Sequence, residues 1–401
     1  MSGTVSYDPE HPTFLQRVIR FSAENRWLVM AASVLLIVMS FWTMRNIPLD
    51  ALPDLSDTQV IVYTKWDRSP DIVEDQVTYP IVTALLGAPK VKAVRALSDF
   101  GFSYVYVIYE DGTDIYWARS RTLEYLSKIT SSLPPGVQPS LGPDATSVGW
   151  VYQYALVDHS GKHSMDELRS LQDWFLRYAV QSTPGVAEVA TVGGQARQFQ
   201  VQVDPNKLAA YKIPIESVVG AVKSSNAEVG GRLVEYGGRE YMVRGRGYVK
   251  TTKDLEQAVL KAENGTPVRL ADVATVTLGP EMRRGLADLD GHGDVVGGIV
   301  IMRQGENALN VIERVKTRIK ELKQGLPEGV EVVTVYDRSE LIHNAIRTVK
   351  HKLIEEMIVV SIIILIFLWH VPSALVPIIT IPVSVALAFI PMYGIGQNAN
   401  L

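Results

Sequence analysis

The sequence predicts an α+β membrane protein: transmembrane helices joined to ferredoxin-like β-α-β subdomains that stand outside the bilayer. Three observations predict it. The stretch from Met357 to Leu401 contains no Lys, Arg, Asp or Glu, and His370 is its only side chain that titrates near neutral pH. A helix of a soluble protein keeps a polar face, whereas a membrane helix needs about 20 apolar residues to cross roughly 30 Å of hydrocarbon. This run is long enough for two crossings. It breaks at His370-Val371-Pro372-Ser373, because proline disfavours helix at the residue before it. The second observation is Trp27–Met44, a charge-free run bounded by Arg26 and Arg45. The third is the long stretch 45–356, which has globular composition and repeats strand and helix signals in β-α-β order.

Composition bounds the function. The formal net charge is −4, so nucleic acid is not an expected partner. There is no Cys, which excludes disulfides and thiolate metal sites. The N-terminal run begins late, is too long for a signal-peptide core and has no small-residue cleavage site after it. Arg17, Arg20 and Arg26 precede it, and Asp50, Asp54 and Asp57 follow it. The positive-inside rule then leaves the N-terminus in the cytoplasm and the large insert outside. Lys350 and Lys352 count against that orientation. Trp27 and Trp369 stand near span ends, as interfacial aromatics do. Asn398-Ala399-Asn400-Leu401 offers neither a charged tail nor a cap, and a fragment of a longer chain is expected.

Along the chain, Pro12–Phe21 has Phe14, Leu15, Val18 and Phe21 on one helical face. It reads either as a surface-lying amphipathic helix or as an extension of the first span. After the turn-rich 50–57, Thr58–Thr64 alternates as a strand. Pro70 opens a helix that runs to about Leu86. Strands follow at Val91–Leu97 and Ser103–Tyr109, then a helix from Thr113 to about Ser131. The pattern recurs as a strand at Trp150–Val157, a helix at Met165–Gln181, and strands at Ala187–Val192 and Gln198–Val203. Ser164 and Glu167 make a capping box for that helix. A third β-α-β shape spans 295–336, after a mixed α/β insertion. Leu-Pro-Pro-Gly-Val at 133–137 echoes Leu-Pro-Glu-Gly-Val at 326–330. Such units are split β-α-β, ferredoxin-like subdomains.

No enzyme constellation is present: there is no Gly-x-Ser-x-Gly, Walker A or His-Glu-x-x-His. Gly193-Gly194 and Gly297-Gly298 read as turns or tight packing. Without a phosphate loop, transport would draw on an ion gradient, which calls for an intramembrane acid. Neither apolar run holds one, and Glu355 and Glu356 lie at the edge of the second. Asp158, His159 and His163 carry metal-ligand chemistry, but Ser160-Gly161-Lys162 between them reads as an exposed hairpin turn. His292 in Asp-Gly-His-Gly-Asp is likewise a turn residue. Met282 stands in Gly279-Pro280-Glu281-Met282-Arg283-Arg284-Gly285. A core methionine fills gaps among apolar side chains, so a thioether in this polar setting is either ordinary packing or an exposed soft ligand of the kind that selects Cu(I).

Eight stretches, in order, resemble the heavy-metal efflux branch of the resistance-nodulation-division family, and most of all its copper/silver-exporting type. They are Asp50–Asp57, Glu74–Pro80, Ser103–Arg121, Leu141–Trp150, Leu168–Tyr178, Gly279–Gly285, Val335–Ile342 and Leu365–His370. The resemblance implies periplasmic porter subdomains with a docking insertion. Its boundaries would be 1–26 for a cytoplasmic or interfacial N-terminal helix, 27–46 for the first transmembrane helix and 47–140 for the first porter subdomain. The second porter subdomain would take 141–203 and 281–345, around a docking insertion at 204–280. The second and third transmembrane helices would be 350–370 and 374–396, with a truncated end at 397–401. The resemblance further implies a homotrimer in the bacterial inner membrane, multi-pass in the lipid bilayer, working with a periplasmic adaptor protein and an outer-membrane channel. It implies export driven by the proton gradient, Cu(I)/Ag(I) as transported ions, no permanently bound cofactor, and Met282 as a residue that passes the metal along a periplasmic cleft. The family's second periplasmic half, its proton-relay acid and its methionine cluster have no counterpart here. Lys65-Trp66-Asp67-Arg68 replaces a common Pro-Gly turn. Two other readings stand beside this one: a divalent-cation (Zn/Co/Ni) exporter of the same family, and a membrane-anchored periplasmic metal-binding or sensor protein.

Overall fold

Hydrophobic alternation and proline placement dictate most of the local structure. The computed structural model describes residues 14–395, except 48, 51, 264 and 284, together with 399 and 400. The expectations for 1–13, 396–398 and 401 lie outside the described residues. Helix α1 (Phe14–Glu24) and helix α2 (Arg26–Asn46) are interrupted only at Asn25, whose amide still bonds the Phe21 carbonyl at 2.9 Å. The extension reading of the N-terminal helix therefore describes it better than a separate element does. Strand β1 (Leu49–Asp50) follows.

The first soluble unit runs β2 (Gln59–Lys65), α3 (Pro70–Val73), a π turn (Glu74–Thr78), α4 (Tyr79–Leu86), β3 (Val91–Asp99), β4 (Phe102–Tyr109), α5 (Ile115–Ile129) and β5 (Ser140–Leu141). Its sheet order is β3-β4-β2-β5, antiparallel throughout. Alternation along β2 buries Val60, Val62 and Thr64 against the helices and leaves Ile61, Tyr63 and Lys65 on the opposite face. The Asp114 carboxylate caps α5 by accepting the Trp117 amide at 2.8 Å.

The second unit begins with β6 (Trp150–Asp158), α6 (Met165–Leu171), a π turn (Gln172–Leu176), α7 (Arg177–Gln181) and β7 (Val186–Val192). The capping box of Ser164 and Glu167 is present. The chain then departs through β8 (Arg197–Val203), α8 (Pro205–Tyr211), α9 (Ile215–Ser224), β9 (Val229–Tyr236), β10 (Arg239–Gly245), α10 (Thr252–Glu256), β11 (Val259–Glu263), β12 (Thr266–Arg269), α11 (Leu270–Val273) and β13 (Ala274–Pro280). It returns as β14 (Val296–Met302), α12 (Ala308–Leu322) and β15 (Val330–Asp337). The order β15-β6-β14-β7 shows that the late β-α-β shape is the other half of this same sheet. Strand β8, grouped by sequence with this unit, pairs instead with β13. Those two strands help enclose a third core around Ile213, Val218, Leu270 and Val273.

Both units share the β-α-β-β-α-β chain order and the same strand arrangement. The Pro-Gly echoes occupy equivalent places, each after a 3-10 turn and before the last strand. Gly136 and Gly329 take φ of 85° and 87°, a left-handed conformation that strains residues with a Cβ. Val137 and Val330 donate their amides to Pro134 and Pro327, both at 3.1 Å. The Gly297-Gly298 pair turns out to be tight packing in mid-strand. A Cβ on Gly298 would lie 2.4 Å from the Tyr154 ring. That tyrosine is fully buried and donates to the Gln172 side-chain oxygen at 3.0 Å.

The chain re-enters the apolar region through α13 (Arg338–Leu368), one helix of 31 residues, rather than a separate 350–370 segment. Asp337 caps it, accepting the Ser339 amide at 2.9 Å. Trp369, in the left-handed region, breaks it at the expected place, and α14 (Val371–Gly394) resumes with Pro372 in its first turn. Among the described residues, α2 and α14 are long and apolar enough to cross a membrane. The charge-free part of α13 is only Met357–Leu368. Helix α14 packs against both α2 and α13, with Trp42 edge-on to Tyr393 at 5.5 Å. Strand β16 (Ala399–Asn400) pairs in parallel with β1.

One buried junction joins these parts. Arg338, with a side chain 4% exposed, meets the Asp50 carboxylate at 3.2 Å and donates to the Trp150 carbonyl at 2.7 Å. Beside it Lys316 pairs with Asp337 at 2.6 Å.

Two stability changes follow. Gly298→Ala has no room to relax against the hydrogen-bonded Tyr154, so thermal unfolding should show a loss of about 1–3 kcal/mol. Arg338→Met removes the buried guanidinium that joins the Asp50 carboxylate to the Trp150 carbonyl and should cost about 3 kcal/mol; denaturant unfolding with an unchanged midpoint would refute the junction's role.

Candidate functional site

A cavity of about 570 Å³ opens where the two soluble units meet. The first unit contributes Lys65 from the end of β2 and Phe102 from the start of β4. The second unit and its insertion contribute Arg169, the Gly193-Gly194 turn and the segment Glu281–Arg283. Met282 stands in this cleft, 67% exposed.

Local bonding explains why the thioether is held there. Strand β13 ends at Pro280, but its ladder with β8 continues one step, since the Glu281 amide donates to Ala196 at 2.8 Å. Gln195 donates its side-chain amide to the Glu281 carbonyl at 3.1 Å. On the other side, one nitrogen of Arg283 contacts both oxygens of Asp294 at 2.5 Å. Met282 is thus fixed at the backbone while its side chain faces open space. Gly193 and Gly194 have φ of 69° and 61°, and a Cβ on Gly193 would lie 2.0 Å from the Val295 carbonyl. This turn lets the rim of the second unit fold tightly beside the cleft.

The charges of the cleft are paired. Lys65 reaches Glu281 across the opening at 3.5 Å. Arg169 donates to Asp173 at 2.8 Å and to the Gly193 carbonyl at 2.8 Å. Asp173 also accepts from Thr191 at 2.7 Å. Chemically, the arrangement offers an accessible thioether beside a carboxylate already held by a lysine.

The other sequence candidates do not converge on a metal site. The Asp158 carboxylate accepts the Ser160 hydroxyl at 2.6 Å, the Ser160 amide at 2.8 Å and the His163 amide at 2.9 Å. It closes the turn that leads from β6 into α6, so the segment is a strand-to-helix connection and not the hairpin that the sequence suggested. His159 faces Glu331 at 3.5 Å, while His163 lies 3.9 Å from Glu167. His292 sits in a turn closed by Asp288, which accepts the Gly291 and Gly293 amides. Among the described residues, no group of three or more His, Cys, Asp or Glu side chains could hold a metal ion. Sequence reasoning missed the Lys65–Glu281 pair. The departure noted at 65–68 was the available signal.

Comparison with known proteins now bears on the site. The model of the AcrB/AcrD/AcrF family matches residues 18–401. The chain belongs to that family. Cation efflux system protein CusA of Escherichia coli (strain K12) is 55% identical over 389 residues, covering 96% of this chain and 37% of that protein. Putative cation efflux system protein SilA of Salmonella typhimurium is 54% identical over the same shares. Cobalt-zinc-cadmium resistance protein CzcA of Cupriavidus metallidurans is 35% identical over 394 residues. The fold superposes on a crystal structure of a heavy metal efflux pump with a TM-score of 0.86 and 32% identity, covering 96% of this chain and 38% of that one. The resemblance to the heavy-metal branch of the resistance-nodulation-division family is thereby established, and these relatives are transporters rather than enzymes. The chain spans little more than a third of the length of the curated relatives it matches.

The Asp158 turn gives a pH signature. Hydrogen bonds from the Ser160 hydroxyl and the His163 amide hold its carboxyl well below the usual range, at about 2. A lowered folded value means the turn's contribution is complete above the ordinary carboxylate value of roughly 4 and is lost as pH falls through about 2. Amide exchange at Ser160 and His163 should accelerate only in that acid window; Asp158→Asn should make it fast at neutral pH.

Proposed function

We propose that this chain is the N-terminal part of an inner-membrane, proton-driven exporter of Cu(I)/Ag(I). In this reading, α2, α13 and α14 lie in the bacterial inner membrane as a multi-pass anchor. The two β-α-β-β-α-β units are ferredoxin-like porter subdomains in the periplasm, and β8 to β13 form a docking insertion. The assembly is a homotrimer that passes its ion to an outer-membrane channel with a periplasmic adaptor. The metal is cargo rather than a resident cofactor. Proton influx supplies the energy through acids that α2 and α14 of this chain do not carry.

Met282 is the observation that carries the proposal. Its thioether lies open in a cleft whose carboxylate is occupied by Lys65. Thioethers are soft ligands that favour Cu(I)-type ions, while carboxylates suit harder ones. Membrane insertion is supported by exposed apolar side chains along α2, among them Leu35, Val38 and Phe41. In water that surface would be unfavourable; in lipid it is matched. Prolines 377, 382 and 391 inside α14 are also a composition that membrane helices tolerate.

The test is Ag(I) titration into the full chain in lipid nanodiscs, in chloride-free buffer, with Zn(II) beside it. Met282→Leu should weaken the tightest Ag(I) event about tenfold, equivalent to about 1.4 kcal/mol. An unchanged Ag(I) isotherm would remove Met282 from the path. Zn(II) binding tighter than Ag(I) would transfer the reading to the divalent branch.

A further inference from the structure

We propose that Lys65 is a specificity determinant: by holding Glu281 across the cleft, it denies Zn(II)-type divalent cations the oxygen ligand beside Met282. This deepens the proposed function and rests on its placement of the ion at Met282. The cleft has one carboxylate among its described lining residues, Glu281, and Lys65 lies 3.5 Å from it. The acids just behind the wall are committed too. Asp173 is held by Arg169 and Thr191, and Asp294 by both contacts of Arg283. Among the described lining residues an arriving ion therefore meets one thioether, while the carboxylate and the three cationic side chains are already paired. A hydrated divalent ion would have to displace an ammonium to gain one carboxylate, because Asp173 and Asp294 are held by the two guanidinium groups. A soft monovalent ion gains the thioether without touching an oxygen.

The backbone places Lys65 for this role. Trp66 donates its amide to the Gly101 carbonyl at 2.9 Å, and Gly101 donates back to the Arg68 carbonyl at 3.0 Å. The Arg68 guanidinium lies over the Trp66 ring at 5.2 Å. The 65–68 segment is thereby locked to the β3–β4 turn with Lys65 at the cleft rim. Lys65 and Glu281 are 53% and 42% exposed. Exposed ion pairs are weak and screened by salt, so the discrimination is modest and depends on ionic strength.

Zn(II) and Ag(I) titrations of the full chain in nanodiscs at low salt test this. Lys65→Leu should raise the affinity of a Zn(II) event about two- to fivefold, on the scale of one exposed charge pair. Lys65→Arg should leave it as in the parent. Adding Glu281→Gln to Lys65→Leu should abolish the gain, and raised salt should shrink it. An unchanged Zn(II) affinity in Lys65→Leu, or a gain that survives Glu281→Gln, would overturn the inference. The Ag(I) response to Met282→Leu is read separately, so failure of the exporter reading is distinguishable from failure of this one.

Discussion

The buried contact between Arg338 and Asp50 is the constraint on which the rest of the architecture depends. Asp50 lies just past the end of α2, and Arg338 opens α13. A large soluble body is inserted between two helices of an apolar bundle, so its two ends must return to one place. The guanidinium binds both the departing chain and the Trp150 carbonyl at the start of β6. Asn307, which caps α12, reaches back to the Ile47 carbonyl at 3.4 Å. A buried ion pair gains little net stability over an apolar substitute. What it does here is geometric: one always-charged, forked guanidinium ties the chain leaving α2 and the start of β6 to the first turn of α13.

From that junction the two soluble units follow one plan. Each wraps two helices onto one face of a four-stranded antiparallel sheet, and each has a π turn in its first helix. In the second unit the π turn brings Gln172 into the core, where it meets Tyr154 beneath Gly298. The insertion between β7 and β14 would split that sheet were its strands not adjacent. They are neighbours, so the excursion leaves and returns at one edge of the unit. The β8–β13 ladder then delivers Glu281 and Met282 to the rim, opposite Lys65 of the first unit. The cleft is therefore a product of where two similar folds abut, not of a motif within either.

Much of this was legible along the chain. The alternation of Thr58–Thr64, the capping box at Ser164 and the proline-led helix at Pro70 each produced the element they describe, because these signals act within a few residues. The break at Trp369–His370 belongs to the same class. The boundary of the insertion was not legible. Strand β8 has the pattern of any half-buried strand, and nothing local tells it to pair with β13 rather than β7. The extent of α13 was also missed, since its polar first turns and apolar last turns are continuous in backbone but not in composition.

By itself, then, the sequence determined the apolar helices, the recurrence of β-α-β units, the turn character of Asp158 and His292, and the unusual setting of Met282. These depend on hydropathy, backbone preference and side-chain chemistry that neighbours along the chain supply. Only the tertiary structure decided that the two Gly-Gly pairs do different work, that Arg338 and Asp50 share a buried contact, and that Lys65 stands across from Glu281. Those outcomes depend on groups far apart in sequence arriving within a few ångströms, and no local pattern carries that distance.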